Sequence, residues 1–323
     1  MKKMRKKIFV TGGAGYIGTT LVPLLLENGY EVTVYDSLIF NNGNTLIPFM
    51  PNKNFQYIRG DVREKDKLND AMKGHDVIIH LAALVGFPFC QRAGEKETYS
   101  VNVDGTKNVI AGATNNQYLL FGSTGSNYGV VTDICTEETP LNPLSLYGTT
   151  KTDAERAVMS RDNSTAFRFA TAFGVSPRIR LDLLVNDLAY KLMTDGYVVI
   201  YESHFLRTFI HVRDMARSFL FAIQNQGIMK NNIYNVGSND LNHSKRDVCE
   251  LLKKHIPNSF IHYAEIGNDA DKRNYMVSYD KLHALGFKTT ISLEEGVLEI
   301  LKSLPALSIV SNYHNVYNRV QNT

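Results

Sequence analysis

Thr11-Gly12-Gly13-Ala14-Gly15-Tyr16-Ile17-Gly18 follows a short apolar run, Ile8-Phe9-Val10, and leads into a stretch with helical spacing. Glycines at 12, 15 and 18 suit three separate demands: a tight turn, close approach of the backbone to a phosphate, and packing of the next helix on the strand. The first turn of such a helix offers unpaired amides and the positive end of the helix dipole to an anion. A glycine pattern alone is weak. Here a strand precedes it, a helix follows, and an acid, Asp36, closes the second apolar run Glu31-Val32-Thr33-Val34-Tyr35. That context predicts a dinucleotide site.

Asp36 would accept hydrogen bonds from ribose hydroxyls and repel a 2′-phosphate, which favours NAD over NADP. The alternative is an ordinary strand-end acid. Tyr16 and Ile17, inside the turn, join the cofactor-binding candidates.

Outward from this turn, strand-like runs recur at 7–12, 31–36, 55–61, 75–83, 118–124 and 166–170, with helices or turns between most of them. Near-continuous apolar strands alternating with helices predict a parallel sheet covered on both faces. Right-handed crossovers make it doubly wound. From about Thr171 the pattern loosens into helices near 182–195, 214–224, 244–255 and 293–303, with short strands at 197–201 and 232–236. We expect a cofactor domain over 1–170, with returning segments near 207–237. A smaller α/β substrate domain is expected mainly over 171–323. Ligands of such sheets lie beyond the carboxyl ends of the strands. Asp61-Val62 and Leu81-Ala82-Ala83 end the third and fourth strands. Asp61 either caps an adenine or is a turn residue; the alanines either admit a cofactor closely or pack the core.

The chain has 323 residues, 44% hydrophobic and 21% charged, with a net charge of +3. That is a soluble composition, and the charge is too small to argue for nucleic acid. The basic run Lys2, Lys3, Arg5, Lys6, Lys7 reads as a solvated end. The three residues after it are far short of a signal peptide's apolar core, and no run approaches the ~20 apolar residues of a membrane span. Cys90, Cys135 and Cys249 are scattered, giving neither a disulfide framework nor a metal-ligand spacing. We expect no metal, and a reducing cytoplasm fits.

Tyr147-Gly148-Thr149-Thr150-Lys151 carries the candidate chemistry. On a helix, Tyr147 and Lys151 lie one turn apart on one face. An ammonium near a phenol lowers its pKa from about 10, which makes the phenol usable as a base for a hydroxyl. The alternative is a solvated helix face. Ser123 or Thr124, ending the fifth strand, could hold the reacting oxygen or simply be turn hydroxyls.

Together these residues resemble the extended short-chain dehydrogenase/reductases, in their nucleotide-sugar epimerase and dehydratase branch. The likeness rests on TGGAGYIG, Asp36, Asp61-Val62, LAA at 81–83, Asn102 in VNVDGT, Ser123-Thr124 and YGTTK. RTFIHVRD at 207–214 and NVG at 235–237 add to it. It implies a Rossmann-type domain with bound NAD, contacted also by Asn102. It also implies Tyr147 as base, Lys151 as its tuner and ribose ligand, and Thr124 as partner of the substrate oxygen. A homodimer through helices near 98–114 and 145–159 is implied as well. LAALVGFPFCQR at 81–92, SPRIRLDLLVND at 176–187 and DKRNYMVS at 271–278 resemble a capsule-pathway subgroup, the GDP-heptose 4-dehydrogenases.

The shared first step of this branch is hydride removal from C4 of the sugar. Family dehydratases carry Asp-Glu after the strand-end Thr; here Gly125 and Ser126 stand there, which disfavours loss of water. Oxidation to a released 4-ketone is expected, with 4-epimerisation as the other outcome. Non-catalytic NAD-binding relatives usually lose the Tyr or the Lys, and both are present. The substrate's diphosphate calls for cations. Arg207 is the first candidate, then Arg273, with Arg178 and Arg180 either ligands or surface arginines; Asn186, in SPRIRLDLLVND, completes the substrate set.

Overall fold

The computed structural model describes residues 5–267 and 274–307. In chain order the first half runs β1 (Lys7–Thr11), α1 (Gly18–Glu27), β2 (Glu31–Asp36), β3 (Phe55–Arg59), α2 (Lys65–Met72), β4 (Val77–His80), α3 (Phe87–Ala93), α4 (Glu95–Tyr99), α5 (Gly105–Gly112), β5 (Tyr118–Thr124), β6 (Val130–Cys135), α6 (Leu146–Met159) and β7 (Ser164–Phe169). Then follow β8 (Thr171–Phe173), α7 (Leu184–Thr194), β9 (Tyr197–Tyr201), β10 (Leu206–His211), α8 (Val212–Gln224), α9 (Gln226–Met229) and β11 (Asn232–Val236). The chain continues with β12 (Asn242–Ser244), α10 (Lys245–His255), β13 (Phe260–Ala264), β14 (Asn274–Val277), α11 (Asp280–His283) and α12 (Leu293–Ser303).

Seven strands form one sheet in the order β11-β7-β5-β4-β1-β2-β3, and every pairing is parallel. The two-residue side-chain period divides each strand between two cores. Ile8 and Val10 of β1, and Val77 and Ile79 of β4, join α1 and α8 on one face. Phe9 and Ile78 join α2, α5 and α6 on the other. This is the expected doubly wound sheet. The strand at 232–236 belongs to it, beside β7.

Smaller sheets lie outside it: β12-β10-β8, β13-β9 and β14-β6. A further core gathers α7, α10 and α12 over β9 and β10. Pro23 sits inside α1 without ending it.

Candidate active site

One cavity of about 1520 Å³ opens along the carboxyl ends of β1, β2, β4 and β5. A single small-ligand site spans roughly 300–1,000 Å³, so there is room here for a dinucleotide and a second ligand together.

The glycine turn forms its floor. Gly12 has φ +72, and a Cβ there would lie 2.6 Å from the Ala82 amide nitrogen, so β1 and β4 converge only because this residue is glycine. Gly18 packs as tightly: its Cβ would lie 2.5 Å from Gly13 Cα. Gly15 faces the cavity, and Tyr16, Ile17 and Gly18 line it too. At the end of β2, Asp36 Oδ2 accepts from the Ala14 amide (3.0 Å) and Oδ1 from the Leu38 amide (2.8 Å). Burial raises the Asp36 pKa, and these two amides oppose it. Asp36 therefore braces the turn as well as facing the cavity. Asp61 and Val62 lie further along the same wall. The Asp61 carboxylate accepts a fork from Arg63, Nε at 2.9 Å and Nη2 at 2.7 Å. Burial would raise its pKa, but Arg63 outweighs burial and holds it low.

Leu81, Ala82 and Ala83 line the cavity above a buried polar chain. The Ala82 amide donates to Thr11 Oγ1 (3.2 Å), which meets His80 Nδ1 at 2.7 Å. His80 Nε2 meets Thr106 Oγ1 at 2.9 Å. Burial pulls His80 down to about 3, so it stays neutral and fixes the floor rather than moving protons. Asn102 differs from its expected role. It is 1% exposed, absent from the cavity wall, and its amide is spent: Nδ2 donates to Leu84 O and Thr150 Oγ1, while Oδ1 accepts from the Leu84 amide. It ties the loop after β4 to α6.

The reaction end is set by α6. Ser145 caps it, its Oγ accepting from the Gly148 amide at 3.1 Å, the usual device for satisfying a helix's first amides. Tyr147 and Lys151 follow one turn apart, and both line the cavity. Lys151 Nζ sits 3.9 Å from the Phe121 ring centroid. Burial pulls it to about 7, with Glu155 and Cys90 opposing. The expected fixed ammonium is thus a group that titrates near neutrality. A second cation stands close by: Arg180 binds Asp182 at 2.6 Å and interacts electrostatically with both Tyr147 and Tyr16. The Tyr16 hydroxyl itself donates to Gly174 O at 2.7 Å.

The two strand-end hydroxyls divide. Thr124 Oγ1 donates to Ser126 Oγ at 3.1 Å beside the cavity. Ser123 also lines it, but its hydroxyl donates to Glu155 Oε2 at 2.6 Å and accepts from Asn127. Ser123 is therefore committed to a buried network rather than to an incoming oxygen. Arg168 completes that network, its Nη2 donating to Glu155 Oε1 at 2.7 Å and its Nε to both carboxylate oxygens at 3.1 and 3.2 Å.

The substrate candidates separate as well. Arg178 and Arg180 line the cavity; Arg207 and Asn186 do not. Arg207 is buried in β10, where Nη1 donates to Leu206 O. Asn186 is fully buried, bonded to Gly174 N, Gly174 O and Arg180 O, so it holds the 174–180 segment instead of a ligand. Arg273 lies outside the described residues.

Sequence reasoning missed Glu155 and Arg168. Glu155 stands one turn beyond Lys151 on the same stripe of α6, and Arg168 is a charge inside an apolar strand. Both signals were readable as a demand for a partner. Among the described residues, no group of three His, Cys, Asp or Glu could hold a metal, and no helix is long and apolar enough to cross a membrane.

With the geometry in hand, the comparisons agree on kinship. The UDP-glucose 4-epimerase of Corynebacterium glutamicum is 28% identical, covering 77% of this chain and 80% of its own. The dTDP-glucose 4,6-dehydratase of Streptomyces niveus is 24% identical, covering 92% of each. The structure of MoeE5 in complex with UDP-glucose and NAD superposes with a TM-score of 0.80 at 25% identity, over 93% of this chain and 99% of that one. Residues 8–237 match the NAD dependent epimerase/dehydratase family, and the chain belongs to that family of NAD-dependent, nucleotide-sugar enzymes.

Proposed function

We propose that the protein oxidises C4 of a nucleotide-activated sugar to the 4-ketone without loss of water. The C4 hydroxyl proton passes to Tyr147, and the O–H electron pair becomes the second C–O bond as the hydride leaves C4. NAD, when bound, accepts that hydride. Lys151 tunes Tyr147 and holds the nicotinamide ribose, Thr124 holds the substrate oxygen, and Arg180 serves the sugar end. The glycine turn, Asp36, Asp61-Val62 and Leu81-Ala82-Ala83 receive the cofactor. Residues 1–170, with returning segments near 207–237, form the cofactor unit; 171–323 mainly form the substrate unit.

One observation carries this reading. Among the described residues, the carboxylates lining the cavity are Asp36, Asp61, Glu64 and Glu97, all at the β2–β3 end. The Tyr147 end is lined by hydroxyls and cations. Nor is there easy room for an acid at position 125: a Cβ on Gly125 would lie 3.3 Å from both Phe169 O and the Tyr275 hydroxyl. Elimination of water needs a further acid–base pair beyond Tyr147, and among the described residues this end offers no carboxylate for it.

The 81–92 and 176–187 stretches support GDP-heptose as the sugar nucleotide. Free, buried cysteines fit a reducing cytoplasm. A second reading, 4-epimerisation, is favoured by the names of relatives such as the Corynebacterium enzyme. Incubation with GDP-, UDP- and dTDP-sugars, GDP-heptose among them, in deuterated water with NMR readout tests both. A 4-keto product with C6 intact is expected; the C4 epimer would give the second reading, and a 4-keto-6-deoxy product would overturn the absence of dehydration.

A further inference from the structure

The two cavity arginines, Arg178 and Arg180, flank Ile179, which is buried in the core of the smaller layer. Their side chains meet different neighbours. Arg180 is at the reaction end: its Nη2 would lie 3.4 Å from a Cβ placed on Gly86, and its charge is felt by Tyr147. Arg178 instead meets the loop after β2 and the Asp36 carboxylate. Its guanidinium carbon lies 5.2 Å from the Phe40 ring centroid, and Phe40 belongs to the loop that follows Asp36. Arg178 is only 3% exposed, although it lines the cavity.

That loop is held in an unusual shape. Leu38 (φ 58) and Asn41 (φ 51) both adopt left-handed backbone conformations, which persist only where surrounding contacts determine them. Asn42 Nδ2 donates to Ala14 O at 2.6 Å, and the Leu38 amide donates to Asp36. The 174–180 segment is pinned in turn. The Tyr16 hydroxyl donates to Gly174 O, and Asn186 donates to Gly174 O and Arg180 O. The glycine turn thus binds the loop after β2 and, through Tyr16, the segment carrying Arg178. Arg178 closes the gap between them with its guanidinium over the Phe40 ring, and its positive charge opposes the burial that raises the Asp36 carboxyl pKa.

We propose that Arg178 is a cofactor ligand supplied by the substrate-side segment: stacked on Phe40, it binds the ribose–pyrophosphate portion of NAD and not the diphosphate of the sugar nucleotide. The inference rests on the NAD-dependent reading of the family. The chemistry suits it. Guanidinium is a planar fork that matches phosphate oxygens bidentately, and an aromatic platform fixes its plane. An arginine already buried against that platform spends little ordering entropy on binding. By this arrangement NAD is clasped from both layers of the molecule.

The test is binding, not turnover. Cofactor-stripped wild type, Arg178→Ala, Arg178→Lys and Arg180→Ala are titrated calorimetrically with NAD and with ADP-ribose. The NAD-loaded proteins are titrated with GDP, UDP and dTDP. Arg178→Ala is expected to weaken NAD and ADP-ribose alike by about 10–100-fold, the scale of a charged hydrogen-bonding pair, and Arg178→Lys to recover part of that loss. The nucleoside diphosphate that binds wild type best should keep its affinity within about twofold in Arg178→Ala. Unchanged NAD affinity in Arg178→Ala, or a loss confined to the nucleoside diphosphate, overturns the proposal. Should Arg178→Ala fail to fold, Arg178→Lys decides: intact NAD affinity with weakened nucleoside diphosphate refutes it. Wild type that binds no NAD would sink the family-based reading itself, an outcome distinct from either.

Discussion

Glu155 and Arg168 are 2% and 4% exposed at the side chain, and five hydrogen bonds end on the Glu155 carboxylate: three from Arg168, one from Ser123 and one from Asn127. The pair joins α6, which carries Tyr147 and Lys151, to β7 and to the tip of β5. Burial would lower the Arg168 pKa, but the Glu155 carboxylate outweighs burial and keeps the guanidinium charged. Glu155→Ala therefore leaves a buried cation facing a void. Removing one partner of such a pair costs about 3–5 kcal/mol. At roughly 2 °C per kcal/mol for a chain of this size, that lowers the melting temperature by about 6–10 °C. Part of the cation's remaining shell survives: Arg168 Nη1 still donates to the Tyr128 hydroxyl and to Glu137 O. The lower end of the range is therefore expected. A double-mutant cycle over Glu155→Ala, Arg168→Ala and the double variant, read by chemical denaturation of the NAD-loaded protein, isolates the pair. Coupling of about 2 kcal/mol or more is expected for residues sharing one network. Additivity within about 0.5 kcal/mol would show that the two charges are independently solvated and that the network does not hold α6.

Tyr147→Phe should cut turnover by ~10²-fold or more, the scale of a general base, while NAD affinity stays near wild type; near-normal turnover would remove Tyr147 from the chemistry. Lys151, pulled to about 7 by burial, gives a pH signature in the cofactor-free protein. Its folded pKa lies below its unfolded value, so above pH 7 the unfolded chain binds more protons and stability rises with pH. Between pH 7 and 8.5 wild type should gain about 1.5 kcal/mol relative to Lys151→Met, and parallel denaturation profiles would refute it. Two copies are expected to pair through the segments near 98–114 and 145–159; light scattering that finds a strict monomer at micromolar concentration would refute the dimer.

What was legible in the sequence was local. The continuous apolar run Ile8-Phe9-Val10 reads as a strand covered on both faces, and β1 does divide between two cores; the Gly12–Gly18 spacing encodes a turn whose steric need is visible at Ala82. Ser145 announces α6 by its capping chemistry. Each depends on residues close in the chain, so the elements and the sheet could be read in order. A return of segments near 207–237 to the cofactor domain was expected, but not that 232–236 would lie beside β7, because a sheet neighbour is chosen by tertiary packing.

The polar side chains divide on the same principle. Tyr147 and Lys151 were readable because one helical turn relates them. Asn102, Asn186 and Ser123 carry the same donors and acceptors whether they face a ligand or a backbone carbonyl, and only the partner decides. Those partners, Leu84, Gly174 and Glu155, lie 18, 12 and 32 residues away. A site assigned from motif membership alone therefore overcounts ligands and undercounts supports. It gave Asn102 to the cofactor and left out Glu155, although both tie α6 to its neighbours. The sharper signal was chemical inconsistency: an arginine inside Ser164–Phe169, a strand otherwise apolar or small, demands a carboxylate. A glutamate one turn past Lys151 on the helix beneath that strand is the residue placed to answer it.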